Sequence, residues 1–268
     1  AGEKSVLPFS KSVPGAPSFG VDCFTVRNKS LRNYFLTHFH ADHYGGLQRG
    51  FRHGMIYCTE VTARLVRLKI GVDDRYITTL PMDTPTVVES TFVTLTDANH
   101  CPGAAMMVFE TNDGRKHLHC GDCRYHPKFE ARRLLTRGHF DTLFLDTTYC
   151  DPTHDFPPQD QTVDFVAQMV QSNAYNNPHT LFLVGTYTIG KEEVFFAPAR
   201  LCDWKVYVHP QKKRVLDCLD LSESDKRRLT TEPSASRIHV VPMGMVTFKQ
   251  MGLMLKMSGG RYKTVVGI

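Results

Sequence analysis

Thr37-His38-Phe39-His40-Ala41-Asp42-His43 places three imidazoles and one carboxylate within six residues. These are the donor types that zinc and similar divalent cations take. The preceding run, Asn33-Tyr34-Phe35-Leu36-Thr37, is β-prone. In extended chain His38 and His40 project to the same side, because side chains alternate with period two. They can therefore grip one ion. Asp42 and His43 fall where the chain would turn into a helix, within reach of a second ion. Gly45-Gly46 then let the backbone pass close by. The competing reading is a polar surface turn, but four ligand-type side chains at this spacing rarely coincide.

Two later segments can complete such a site. Asp97-Ala98-Asn99-His100-Cys101-Pro102-Gly103 puts His100 at a strand end before a Pro-Gly turn, and Cys120-Gly121-Asp122-Cys123-Arg124 puts Asp122 at the end of a hairpin's second strand. Taken singly, each is as readily an ordinary turn. Beside the histidine cluster, ligation is the better reading, and a carboxylate such as Asp122 can bridge two ions.

The composition agrees with a folded enzyme. The chain has 268 residues, 41% hydrophobic and 22% charged, which excludes a disordered tail, a collagen-like repeat and a small disulfide scaffold. No apolar run approaches the roughly 18 residues of a membrane span, so no membrane partner is expected. The net charge of +5 permits an anionic partner without demonstrating one. The eight cysteines lack framework spacing and read as reduced thiols of a cytosolic or nuclear protein. Neither end carries a targeting pattern, and a cut is expected at both, because the chain opens on Ala1 and stops inside an apolar run.

Along the chain, the alternation Thr91–Thr96 predicts a half-buried strand, Ala104–Glu110 and Lys116–Cys120 a hairpin about Asn112-Asp113-Gly114, and Thr142–Leu145 a buried strand. The Pro- and Asp-rich stretch from Asp151 marks a boundary, giving expected domains over 1–150 and 151–268. Beyond it, Val163, Val166, Ala167 and Val170 recur at helical spacing. Strands are expected over Thr180–Val184, Val206–Val208, Ile238–Val241 and Thr264–Ile268, and a short helix from Lys191, with Pro198 expected to end it. Gly185, Gly190 and Lys191 at that helix start form a natural anion site, although Glu192 stands where a P-loop needs Ser or Thr. The alternative there is a plain strand-turn-helix with a solvated lysine.

The histidine cluster, the Asp97–Gly103 segment, Gly121-Asp122, Leu145-Asp146-Thr147-Thr148-Tyr149-Cys150, Phe156-Pro157-Pro158-Gln159 and Gly185–Glu193, in this order, resemble the metallo-β-lactamase superfamily in its β-CASP branch, and within it the DNA cross-link repair (SNM/PSO) nucleases. The resemblance runs from about Phe19 to Ile268. It implies an α/β fold, an αββα metallo-β-lactamase sandwich with a β-CASP cap inserted from near Asp151, incomplete at the C-terminus. It implies one zinc on the residues matching His38, His40, His100 and Asp122. A second ion (zinc, or Mg or Mn) would lie on those matching Asp42, His43 and Asp122. Asp22 would support the metal loop from behind, and Asp146 would open the β-CASP region and help position water. Thr188, Gly190 and Lys191 would lie by the pocket for a DNA 5′-phosphate. Two departures stand out. Cys120 and Cys123 occupy positions where relatives usually carry Thr and Phe, with packing as small hydrophobes the favoured reading. Pro198 interrupts a helix that is usually smoother.

The activity implied is two-metal hydrolysis of phosphodiesters, with Asp42, Asp122 and Asp146 in the catalytic machinery. It would act as a 5′–3′ DNA exonuclease in interstrand cross-link repair, in the nucleus. Basic residues Arg124, Lys128, Arg132, Arg133 and the Lys212-Lys213-Arg214 run are candidates for tracking a DNA backbone. The alternatives are an Artemis-type endonuclease, an RNA-processing relative, a glyoxalase-II-like or lactamase hydrolase, and a non-catalytic scaffold.

Overall fold

A computed structural model describes residues 7–268, which divide into two compact units, one running to Cys150 and the other from Asp151 to Ile268.

The first unit begins with β1 (Phe19–Val21), β2 (Asn33–Phe35), α1 (Ala41–Tyr44), β3 (Met55–Cys58), α2 (Glu60–Lys69) and β4 (Ile77–Thr79). Its four strands form a parallel sheet in the order β1-β2-β3-β4. There follow β5 (Thr86–Val88), β6 (Thr91–Asp97), β7 (Ala105–Glu110), β8 (Lys116–His119), α3 (Arg133–Thr136) and β9 (Thr142–Phe144), whose strands form a second sheet in chain order. That sheet is antiparallel except for β8 and β9, which run parallel.

The two sheets meet through Phe19, Val21 and Phe35 from one and Val93, Leu95, Met107 and Phe109 from the other. Phe35 is fully buried, with its ring 5.0 Å from those of Phe19 and Phe109. Burying one such side chain stabilises by about 1.5–3 kcal/mol. The amphipathic α2 buries Val61, Leu65 and Val66 beside the first sheet. Phe129, Leu134, Leu135 and Phe140 cover the outer face of the second. The unit is thus layered as a sandwich, with two sheets inside.

The second unit comprises α4 (Gln159–Asn176), β10 (Thr180–Thr186), α5 (Glu192–Leu201), β11 (Val206–Val208), α6 (Pro210–Leu216), α7 (Glu223–Arg228), β12 (Leu229–Thr230), β13 (Ile238–Pro242), α8 (Phe248–Met257) and β14 (Thr264–Gly267). Its strands form a wholly parallel sheet, β12-β11-β13-β10-β14. The interior strand β10, between β13 and β14, is buried along its entire length, which suits the run Thr-Leu-Phe-Leu-Val-Gly-Thr. Among the described residues no helix is long and apolar enough to cross a membrane, and no cysteine is bridged.

Three expectations fail for identifiable reasons. Thr142–Leu145 is not a buried strand: Leu143 and Leu145 are 50% and 62% exposed. β9 is the last strand of its sheet, hydrogen-bonded on one side only, and its leucines line a cavity. β6 alternates only at its start. Phe92 is exposed, but Thr94 and Thr96 on the same face are buried, where Arg132 reaches over to Thr96 and the Asp97 carbonyl. Pro198 does not end α5. It lies inside the helix, which closes with Cys202 N–H donating to the Pro198 carbonyl at 3.0 Å. Proline removes its own N–H donor and crowds the carbonyl four residues back; the buried face of Phe195, Phe196 and Ala199 holds the helix through it.

Gly103 gives a stability test. Its φ is +79°, and a Cβ there would meet Val61 Cβ at 2.8 Å. Gly114 has φ +82° with nothing within 4 Å. Gly103→Ala is therefore expected to destabilise by about 1–3 kcal/mol more than Gly114→Ala, the overpacking cost added to a shared backbone strain. Urea denaturation of the two variants measures the difference.

Candidate metal centre

Three loops leaving strand ends build the site. The first follows β2. Asp22, just past β1, sits in the left-handed region (φ 48°) and is 6% exposed. Its carboxylate accepts the Thr37 backbone N–H at 2.9 Å, the Thr37 hydroxyl at 2.7 Å and His43 Nδ1–H at 2.7 Å. Thr37 Oγ1 lies 3.0 Å from His38 Nδ1. Because that hydroxyl gives its proton to Asp22, His38 Nδ1 is the donor to it, which leaves Nε2 bare and facing the cluster.

The second loop carries His100. Asn99 adopts φ 54°, and the hydroxyls of Thr59 and Thr62 hold the Gly103 carbonyl at 2.7 and 3.2 Å. The third carries Asp122. Gly121 (φ +55°) packs against Thr37, where a Cβ would meet Thr37 Cβ at 2.8 Å. Ala105 N–H donates to the Thr37 carbonyl, and the Asn99 side chain and Arg124 N–H bond across between the second and third loops.

The donors converge. His38 Nε2 and His40 Nδ1 lie 3.0 Å apart, and His100 Nε2 lies 3.1 Å from His40 Nδ1. Asp122 Oδ2 is 3.8 Å from His38 Nε2 and 3.6 Å from His100 Nε2. A tetrahedral ion with bonds of about 2.1 Å sets its donors ~3.4 Å apart, so the three imidazoles stand near the spacing for one divalent cation, with Asp122 within 3.8 Å of two of them. On the other side His43 Nε2 lies 3.0 Å from Asp122 Oδ1 and 3.6 Å from Asp42 Oδ2. That is a second, more open donor set, with Asp122 between the two.

Burial, then the charges of His43, His40 and His100, pushes the His38 pKa down to about 2, so its ring is neutral and available as a ligand. Burial also lowers His100. Burial works against charge on His43 too, yet hydrogen bonds with Asp122 and Asp22 hold its pKa up at about 10. The hydrogen bond from His43 holds Asp122 down at about 2.

His43, Asp122 and Asp146 line a cavity of ≈ 540 Å³ that the exposed Leu143 and Leu145 also border. Asp146 is fixed by Cys123 N–H at 3.1 Å and by the Thr148 amide and hydroxyl at 2.9 and 2.6 Å. Sequence reasoning missed four residues here. Thr37 and Thr148 orient the acids. His119 accepts from the Gly121 amide. Cys101 Sγ shares a compact donor group with His38, His40 and His100. Only the position of Cys101 directly after His100 signalled any of them. Cys120 packs with Ala98, Met106 and Val108 as a small hydrophobe, and Cys123 Sγ lies 3.8 Å from Met106 Sδ.

Thr188, Gly190 and Lys191 lie in the second unit, on the turn between β10 and α5. Lys191 caps the helix at φ 67° and rests over the Tyr187 ring at 5.0 Å. The backbone part of the expected anion site is already filled, because buried Glu192 accepts the Gly190 N–H at 2.9 Å. Several basic candidates also have internal partners. Lys128 and Arg132 hold Asp97. Lys212 donates to the Tyr187 and Thr188 carbonyls, both at 2.9 Å. Lys213 pairs with Asp217.

Comparison with known proteins agrees with this geometry. A family model described as "Beta-lactamase superfamily domain" matches residues 25–183. The DNA cross-link repair 1A protein of Mus musculus is 42% identical over 99% of this chain and 26% of its own length. The 5′ exonuclease Apollo of Danio rerio is 33% identical over 88% of this chain and 41% of its own. The chain thus spans about a quarter of the first relative and under half of the second. A crystal structure of a protein of unknown function from Enterococcus faecalis V583 superposes with TM-score 0.54 at 13% identity, over 88% of this chain and 68% of that one, which is a likeness of fold alone. With its donor cluster on the loops of a two-sheet sandwich and the family model matching more than half its length, this chain belongs to the beta-lactamase superfamily, in the metallo-β-lactamase type.

Proposed function

We propose that this chain is the nuclease region of a DNA cross-link repair protein, a metal-dependent 5′–3′ exonuclease that hydrolyses phosphodiester bonds in nuclear DNA. The observation that carries the proposal is the convergence of His38, His40, His100 and Cys101 in one compact donor group and of His38, His43 and Asp122 in another, with His43 and Asp122 bordering a cavity that Asp146 also lines. The relatives' names, which include cross-link repair and 5′ exonuclease, support the reaction class.

The donor chemistry is that of a divalent cation. His38, His40, His100 and Asp122 would hold the first, and Asp42, His43 and Asp122 the second. Three imidazoles with one carboxylate favour zinc at the first site, while the more carboxylate-rich second also suits Mg or Mn. Metal bound there supplies Lewis acidity toward water and phosphate oxygen. The protein supplies orientation. Asp22 fixes His43, Asp122 faces both donor sets, and Asp146, held by Thr148 and Cys123, presents a carboxylate toward the cavity. The first unit is read as the metallo-β-lactamase domain and the second as the β-CASP cap. In the second, Lys191 with Thr188 would supply the positive charge and hydroxyl for a 5′-phosphate, since Glu192 already occupies the Gly190 amide.

Three measurements test this. A 3′-labelled single strand should shorten stepwise from a 5′-phosphate end, while a circular strand is spared. His38→Ala and Asp122→Ala should each lower the rate at least about 100-fold. Cutting of the circle would favour the endonuclease reading. Asp22→Asn, which removes the carboxylate that orients both His43 and, through Thr37, His38, should weaken metal affinity about 10–100-fold, measured by competition with a chromophoric chelator. Finally, metal added to chelator-treated protein at about 100 times its Kd should stabilise by about 2.7 kcal/mol in thermal unfolding, with the gain absent in His38→Ala.

A further inference from the structure

The second unit contains a pocket of ≈ 320 Å³ bordered by Asp203, Trp204, Lys205, Ser224, Arg227 and Arg228. Its backbone is built deliberately. α5 ends with Asp203 in the left-handed region (φ 55°) and Trp204 N–H donating to the Ala199 carbonyl at 2.9 Å. This reversal places Trp204 and Lys205 just before β11, while Arg227 and Arg228 come just before β12. Because all strands of this sheet run parallel, the pocket lies at the opposite end of the sheet from the 187–191 turn that follows β10.

The cations are held in place with capacity to spare. Lys205 Nζ uses one donor on the Arg227 carbonyl at 2.7 Å. Arg228 Nη1 bonds Asp203 Oδ1 at 2.9 Å and the Trp204 carbonyl. Arg228 Nε is a buried donor with no hydrogen-bond partner among the described residues. The Arg227 side chain is exposed at the rim. The indole of Trp204 forms one wall, braced by the Arg237 guanidinium 4.6 Å from its centroid. Three cations face a single carboxylate, on Asp203, which is itself 92% exposed.

We infer that this pocket is a second phosphate-binding site, which takes a backbone phosphate of a polynucleotide with the adjoining nucleoside against Trp204. The volume suits one nucleotide unit, and the exposed Arg227 guanidinium, with Lys205 and Arg228 beside it, suits a phosphate's oxygens. An indole face accepts any base, at about 1–3 kcal/mol per stacked base. The site does not depend on the nuclease reading, since it belongs to neither the donor cluster nor the 187–191 turn.

Trp204 is the chain's one tryptophan, so its fluorescence reports on this pocket directly. The intact chain would be titrated with inorganic phosphate, a mononucleotide and a circular single strand, which offers no 5′ end to an exonuclease. The circle should change the emission saturably, more tightly than either small ligand. Arg227→Ala and Arg227→Gln should weaken that binding about 5–10-fold and reduce the salt slope by about 0.7, the value for one phosphate contact on a single strand. Far-UV circular dichroism establishes that both variants fold. Asp122→Asn, which disables the metal centre, should leave the titration unchanged, so a failed nuclease assay and a failed pocket are separable. No emission change with the circle, binding of the small ligands only, or a titration indifferent to both Arg227 variants would each overturn the proposal.

Discussion

The carboxylate of Asp22 is the constraint on which the metal centre depends. It is buried in a backbone conformation that few side chains adopt, and it takes three hydrogen bonds, two from Thr37 and one from His43. A buried carboxylate is tolerated only when its lone pairs are satisfied, and here satisfying them orients the site. The bond to His43 Nδ1 aims Nε2 of that ring at Asp122. The bond from the Thr37 hydroxyl forces His38 to donate through Nδ1 and offer Nε2. One acid therefore decides which nitrogen of two candidate ligands faces the cluster, without being a donor of the cluster itself.

The remaining donors are tied to the same point by contact between loops. Gly121 packs against Thr37 with no room for a side chain, and Ala105 bonds the Thr37 carbonyl just beyond the His100 loop. Asn99 and Arg124 then join the second and third loops to each other. A displacement of Thr37 would move His38 through the chain, Asp122 through Gly121, and His100 through Ala105. Three loops separated by dozens of residues act as one support because they share a single threonine.

Much of this was legible in the sequence because metal ligation needs particular residue types at particular spacings. His38 and His40 share a side because the chain there is extended, and His43 turns toward Asp122 because α1 begins at Ala41. The hairpin and its Asn-Asp-Gly turn were readable for the same local reason. What escaped was set by tertiary context. An apolar run such as Leu143-Phe144-Leu145 reads the same whether it fills a core or borders a cavity, and only sheet order tells them apart. Arg132 and Lys128 look like surface charges until the chain folds Asp97 beneath them. Pro198 disfavours a helix in principle, but the buried face of Phe195, Phe196 and Ala199 holds α5 through it.

The two ends of the parallel sheet offer an anion different things. The turn after β10 has the glycines, the lysine and the helix start of an anion site, yet its Gly190 amide already holds the Glu192 carboxylate. Burial raises the pKa of Glu192 and lowers that of Lys212, whose ammonium is occupied by the carbonyls of the same turn. That turn is preorganised by its own ions, so an incoming phosphate gains little there beyond Lys191. At the other end no motif is visible, but Arg228 keeps a buried donor unpaired. The reachable charge there is the exposed Arg227 side chain at the rim, with Lys205 and Arg228 beside it. Binding free energy for an anion resides where donors are still unsatisfied, which is a property of the folded surroundings rather than of the motif.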